Sequence, residues 1–172
     1  MATSASIETP SGKTTATENF PVGSWLLPAS LRPYIATFYA LARATDDIAD
    51  NPDLSPEEKL VRLDGFDAAL TGKSGDDSNY EKSTRLKQSL AEIGVTTDHS
   101  RNLISAFKQD AVKLRYRDWD DLMDYCNRSA APVGRFLLDL HGESRDGYET
   151  SDALCNALQV INHLQDCKDD YL

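Results

Sequence analysis

Between Tyr34 and Thr45 the chain carries one charge, Arg43, and neither Gly nor Pro. Such a stretch predicts a helix buried nearly all round. Three carboxylates, Asp46, Asp47 and Asp50, then arrive within five residues. On a helix, Tyr39, Arg43, Asp46 and Asp50 share an arc of roughly 60°. Asp46 and Asp50 stand one turn apart, with Cβ atoms about 5–6 Å from each other. They also lie at the C-terminal end of the helix, where negative charge is disfavoured. A buried helix that ends this way needs a cation, and a divalent metal is the expected one.

The rest of the chain reads as further helices. Pro28 and Pro33 bracket the start of the first, and Asn51-Pro52 stops it. A second opens at Ser55-Pro56-Glu57-Glu58, with capping-box spacing, carries Leu60, Leu63, Phe66 and Leu70 as its apolar stripe, and ends at Gly72. A third covers Tyr80 to Ile93, with Gly94 as its stop. The fourth begins near Asp98 and carries Leu103, Ile104, Phe107, Ala111 and Leu114 at helical spacing, finishing in Lys113 to Arg117. The fifth runs from Asp118 toward Leu140, with a break expected between Ser129 and Pro132. The sixth begins at Ser151-Asp152 and continues to the end of the sequence. No stretch alternates with strand period, so the fold class is all-α.

The last helix repeats the logic of the first. Leu154, Leu158, Ile161 and Leu164 form an apolar stripe, and Gln159, Asn162, Asp166 and Asp170 form a polar row beside it. Asn162, Asp166 and Asp170 drift by only about 40° per step. Two such helices facing each other across a cavity would grip a diphosphate through Mg²⁺, a hard ion held by one or two carboxylates plus substrate phosphates. Metal helps diphosphate to leave by neutralising the charge it develops. Arg43 is the candidate for a bidentate phosphate contact, with Lys113, Arg115 and Arg117 as further cations. A carbocation left behind needs aromatic lining, for which Phe20, Tyr39 and Phe136 are candidates.

Composition narrows the alternatives. A net charge of −10 argues against nucleic acid and against binding an anionic bilayer by charge alone. Three cysteines without metal-type spacing read as reduced thiols of a cytosolic protein. Residues 1–18, rich in Ser, Thr and Ala, read as a disordered tail, with residues 19–172 as the folded domain. His99, His141 and His163 share no ligand spacing and read as surface or helix-end residues. An EF-hand fits poorly, since neither acidic motif has the loop Gly or the closing Glu.

With both motifs in view, the chain resembles the squalene/phytoene synthase family of all-α isoprenoid synthases. Members carry two Asp-x-x-x-Asp motifs on opposing helices, matched here by Asp46 to Asp50 and Asp166 to Asp170. Tyr39 to Arg43 matches the aromatic-then-Arg lead-in, and Asn162 the Asn before the second motif. The stretches Glu18 to Pro28 and Tyr125 to Arg135 are most similar to the bacterial hopanoid-associated branch. That resemblance implies Mg²⁺ held by Asp46, Asp50, Asn162, Asp166 and Asp170. It implies a prenyl diphosphate substrate contacted by Phe20, Tyr39, Arg43, Asn162, Lys113 and Arg115. The implied reaction converts presqualene diphosphate to hydroxysqualene by loss of diphosphate and capture of water. Asn127 and Gln165 stand where many members have Tyr and Arg, which favours the water-quenched outcome.

Members also continue well beyond the second motif, so the chain is expected to be the N-terminal piece of a longer protein, its later helices missing. The runner-up reaction is head-to-head condensation of farnesyl or geranylgeranyl diphosphate to presqualene diphosphate, squalene or phytoene. A non-catalytic assembly or binding protein of the same fold is the rival from another class. The expected location is cytoplasmic, with peripheral contact to the inner membrane on substrate grounds alone.

Overall fold

The computed structural model describes residues 7–10, 27–73 and 78–170, the last three of these by their backbone alone. The described residues are helical, with no strand: α1 (Arg32–Asp50), α2 (Pro56–Thr71), α3 (Glu81–Ile93), α4 (Asp98–Asp110), α5 (Trp119–Ser129), α6 (Ala131–Leu140) and α7 (Tyr148–Asp170), with a short 3-10 turn (Arg145–Gly147) before α7. None of these helices is long and apolar enough to cross a membrane. The chain divides into two units, Met1–Val112 and Lys113–Leu172.

In the first unit α1 packs against α2, α3 and α4. Its buried positions, Ile35, Phe38, Leu41, Ala44, Thr45 and Ile48, recur every three or four residues, as a helix facing several neighbours requires. They meet Leu63, Phe66 and Leu70 of α2, Leu86 and Leu90 of α3, and Leu103 and Ile104 of α4 in one apolar core. Two of the polar side chains inside it bond to backbone carbonyls, whereas the buried Ser100 hydroxyl has no hydrogen-bond partner among the described residues. Thr45 donates its hydroxyl to the Leu41 carbonyl at 2.9 Å, and Ser83 donates to the Phe66 carbonyl at 2.8 Å. The Ser55–Glu58 capping box is present in both directions, and Gly72 closes α2 in the left-handed region at φ 72°.

The segment read as a tail has four described residues, and they lie on this unit. The Arg62 guanidinium donates to the Ile7 carbonyl at 2.9 Å, Lys82 pairs with Glu8, and the Thr9 hydroxyl donates to the Asp47 carbonyl at 3.3 Å.

The fourth helix ends sooner than its apolar spacing predicts. It stops at Asp110, and Leu114, expected on its inner face, is 94% exposed. The competing partner is Asp121. Its carboxylate accepts the Arg117 N–H at 2.9 Å and binds the Lys113 ammonium at 2.5 Å, holding residues 113–117 in irregular backbone ahead of α5. That double contact, together with Arg117, holds the Asp121 carboxyl at a pKa of about 2.

In the second unit the expected break falls at Ala130, between α5 and α6, one residue before the helix that contains Pro132. α7 begins at Tyr148, three residues before the predicted start. It packs on α6 at Gly134, where an added Cβ would lie 2.7 Å from Cys155 Sγ and closer still to the Ser151 hydroxyl. A larger residue there would require the Ser151 and Cys155 side chains to move. Arg135 makes a two-pronged contact with Asp152 at 2.9 and 3.1 Å from its Nε, and Tyr148 donates its hydroxyl to Asp139 at 2.6 Å.

The apolar row of α7 does not face its own unit: Leu154, Leu158, Ile161 and Leu164 are 62, 51, 49 and 67% exposed. The polar side packs inward instead, because Asp152, Cys155 and Asn156 find partners on α5 and α6. Of the histidines, His141 is exposed at the end of α6 and His99 lies at the start of α4, as expected, although His99 is buried; His163 departs from the expectation and packs its ring against Tyr116 and Tyr125.

Candidate functional site

The first acidic motif is built on the C-terminal turns of α1. Arg43 Nη2 lies 2.7 Å from Asp46 Oδ2 and 2.6 Å from Asp47 Oδ1, and its Nε donates to the same Asp47 oxygen at 2.9 Å. One guanidinium therefore straddles two carboxylates, an arrangement that i, i+3 and i, i+4 spacing allows on a helix. Asp47 is the buried member of the three, at 7% exposed, while Asp46 is half-buried and Asp50 is exposed.

The spacing of the motif points to Asp46 and Asp50 as metal ligands and gives Asp47 no role. Its place four residues after Arg43 was the available signal. Tyr39, one turn before Arg43, is half-buried on α1.

The negative end of α1 has a second cation. Lys59, from the start of α2, donates to the Ala49 carbonyl at 2.6 Å, where the unpaired carbonyls of a helix end concentrate partial negative charge. Nothing in the sequence marks Lys59 for this, since it lies ten residues away across a turn. Arg43 and Lys59 together hold a helix end that would otherwise repel itself.

The second motif lies on α7, in the other unit. Asn162 is half-buried and Asp166 is exposed; of Asp170 only the backbone is described. Asn162 and Asp166 share the side of the helix that carries Cys155 and Gln159. Next to them, the rings of His163, Tyr116 and Tyr125 stand 5.4 to 5.8 Å apart, centroid to centroid, and His163 Nε2 is buried with no hydrogen-bond partner among the described residues. Asn127 accepts a hydrogen bond from the Asn156 amide at 2.7 Å, tying α5 to α7.

The remaining predicted contacts are scattered. Lys113 is engaged by Asp121, Arg115 is exposed, and Phe136 is buried within the second unit. Phe20 lies outside the described residues.

The donor chemistry fits a hard cation. Asp46 and Asp50 offer carboxylate oxygens one turn apart, as does Asp166 beside the amide oxygen of Asn162. Among the described residues, no three His, Cys, Asp or Glu side chains gather as a metal cluster. Mg²⁺ does not require one, since it keeps waters and completes its shell with substrate phosphates.

An all-α chain with an acidic motif on each of two helices is the pattern of the isoprenoid synthases, and the comparisons agree. The squalene/phytoene synthase family model matches residues 13–172, and the chain belongs to that family. It is 48% identical over 169 residues to the hydroxysqualene synthase of Rhodopseudomonas palustris, covering 98% of this chain and 56% of that protein. To the hydroxysqualene synthase of Zymomonas mobilis it is 48% identical over 163 residues, covering 94% and 54%. The crystal structure of squalene synthase HpnC from Alicyclobacillus acidocaldarius superposes with a TM-score of 0.75 at 33% identity, over 92% of this chain and 60% of that one. The chain thus spans about half the length of the curated relatives it matches.

Proposed function

We propose that this chain is part of a Mg²⁺-dependent enzyme that converts presqualene diphosphate to hydroxysqualene, with residues 19–172 forming part of one synthase domain. The observation that carries the reading is the 48% identity to a hydroxysqualene synthase across nearly the whole chain. The intact motifs support it, since both keep the carboxylates that diphosphate chemistry needs.

In this reading Asp46 and Asp50 from α1, with Asn162, Asp166 and Asp170 from α7, hold the metal through oxygen donors. Mg²⁺, when bound, supplies positive charge for the departing diphosphate. Arg43 is divided between Asp46 and Asp47. A ligand drawing on Asp46 frees one side of the guanidinium for phosphate oxygens, while Asp47 keeps it oriented. Tyr39, one turn earlier, contacts the diphosphate or its waters. Of the two further cations, Arg115 is the freer to meet phosphate, because Lys113 already pairs with Asp121. Phe20 serves as lining. Diphosphate leaves with the electron pair of its C–O bond, water forms a new C–O bond at the rearranged cation, and the extra proton passes to solvent.

The second reading is condensation of two prenyl diphosphates, favoured by the likeness to a structure titled squalene synthase. Incubation with Mg²⁺ and either presqualene diphosphate or farnesyl diphosphate alone separates the two. The assay should be run on this chain by itself and with the remaining part of the Rhodopseudomonas palustris relative. Hydroxysqualene from presqualene diphosphate is the expected product. Asp46→Asn and Asp166→Asn should each lower turnover by about 10²-fold or more, with the helical circular dichroism unchanged. Consumption of farnesyl diphosphate would favour condensation, and full activity in either variant would refute the metal assignment.

A further inference from the structure

The last carbonyls of a helix have no partner within it, and they concentrate partial negative charge. At the end of α1 the residues that follow supply little to them. The Asn51 N–H turns to the Ile48 carbonyl at 3.4 Å, Pro52 has no N–H, and the Asp53 N–H goes to the Asn51 side chain at 2.7 Å. The same turn carries the carboxylates of Asp46, Asp47 and Asp50. Such an end stays ordered only with donors from elsewhere.

Two donors come from other segments. Lys59 reaches the Ala49 carbonyl from α2, and the Thr9 hydroxyl donates to the Asp47 carbonyl at 3.3 Å. The two residues before Thr9 anchor that hydroxyl. The Ile7 carbonyl accepts from Arg62 of α2 at 2.9 Å, and the Glu8 carboxylate pairs with Lys82 of α3. Three successive residues therefore fasten to three different helices, and all three are half-buried.

We propose that residues 7–9 form a strap that closes the C-terminal end of α1, with Thr9 as a positioning residue for the turn that carries Asp46 and Asp50. Thr9 acts through the backbone of Asp47, whose side chain in turn orients Arg43. Holding that carbonyl keeps the last turn wound and fixes the direction in which the motif's carboxylates leave the helix. The link from this turn to Mg²⁺ and diphosphate rests on the functional reading above; the strap itself does not.

Hydrogen exchange read by mass spectrometry tests the strap directly. Amides of residues 48–51 should exchange about three- to tenfold faster in Thr9→Val, and faster again in Glu8→Ala combined with Thr9→Val. Thr9→Ser keeps the hydroxyl and should stay within about twofold of the unaltered chain. Thr37→Val removes a hydroxyl bond to the Pro33 carbonyl at the other end of α1 and should leave residues 48–51 unchanged. Calorimetry with Mg²⁺ and inorganic diphosphate then separates positioning from plain stability. Thr9→Val should bind about threefold more weakly or worse, at a temperature where circular dichroism shows it fully folded, and Thr9→Ser should restore the affinity. Unchanged exchange at residues 48–51 in the double variant would overturn the strap. Faster exchange with unaltered affinity would overturn the positioning role. Absence of binding by the unaltered chain would overturn the functional reading and the positioning role with it, while the exchange result still decides the strap.

Discussion

α1 and α7 both combine an apolar row with an acidic motif near the C-terminal end, yet their seating is opposite. α1 buries its apolar row in the core of its own unit, and its acidic end is held by Arg43 and Lys59. α7 turns its polar side to α5 and α6 and leaves its apolar row in solvent. The difference shows that apolar periodicity defines a face without defining what covers it. For α1 the partners lie within the same unit. For α7 they do not lie in its own unit.

The comparison is open to direct attack by substitution. Leu41→Ala on α1, where the side chain is 2% exposed, should cost about 2–5 kcal/mol in urea unfolding, through lost transfer energy and a residual cavity. Leu158→Ala, its counterpart on the 51% exposed row, should stay within about 0.5 kcal/mol in this chain. Equal costs at the two sites would mean that the α7 row is buried in solution.

Next in size is the acidic end of α1. Asp47→Asn removes the buried partner of Arg43 and should destabilise the chain by about 3 kcal/mol, whereas Asp50→Asn at the exposed position should change little. The same unfolding experiment reads both. Gly134→Ala tests the contact that seats α7 on α6. The new methyl meets Cys155 Sγ and the Ser151 hydroxyl, and overpacking should cost about 1–3 kcal/mol.

The smallest effect is acid sensitivity at Asp121. Its pKa is lowered from 3.8 to about 2, chiefly by the Lys113 hydrogen bond and then by the Arg117 N–H. Its charged form therefore stabilises the fold. That contribution is complete above the ordinary carboxylate value and is lost as pH falls from about 4 through about 2. Asp121→Asn should lower stability at pH 6 and make little difference at pH 2, as read by denaturant midpoints at both pH values.

Much of the helix layout was legible because its signals are local. Ser55 with Glu58, Gly72, Gly94 and Pro132 each mark a boundary through their own backbone chemistry, and the helices begin or end there. The end of α4 was not legible. Ala111 and Leu114 continue its apolar spacing, while the carboxylate of Asp121, which stands outside that pattern, binds Lys113 and the Arg117 N–H and holds the chain away from it.

The acidic motifs were readable as spacings, but their seating was not. Spacing alone favours Asp46 and Asp50, which stand one turn apart, over Asp47. Burial singles it out as the carboxylate that positions Arg43. The burial of His99 and the ring packing of His163 are not legible because histidine carries no local signal of burial, and both settings depend on neighbours distant in sequence.

The central proposal is that both acidic motifs contribute to Mg²⁺-dependent binding of diphosphate. Isothermal calorimetry of this chain with inorganic diphosphate, in the presence and absence of Mg²⁺, tests it most directly. The account predicts binding that requires Mg²⁺ and is lost in both Asp46→Asn and Asp166→Asn. Absence of binding with Mg²⁺ present, or binding that survives either substitution, would contradict it and favour a non-catalytic member of the family.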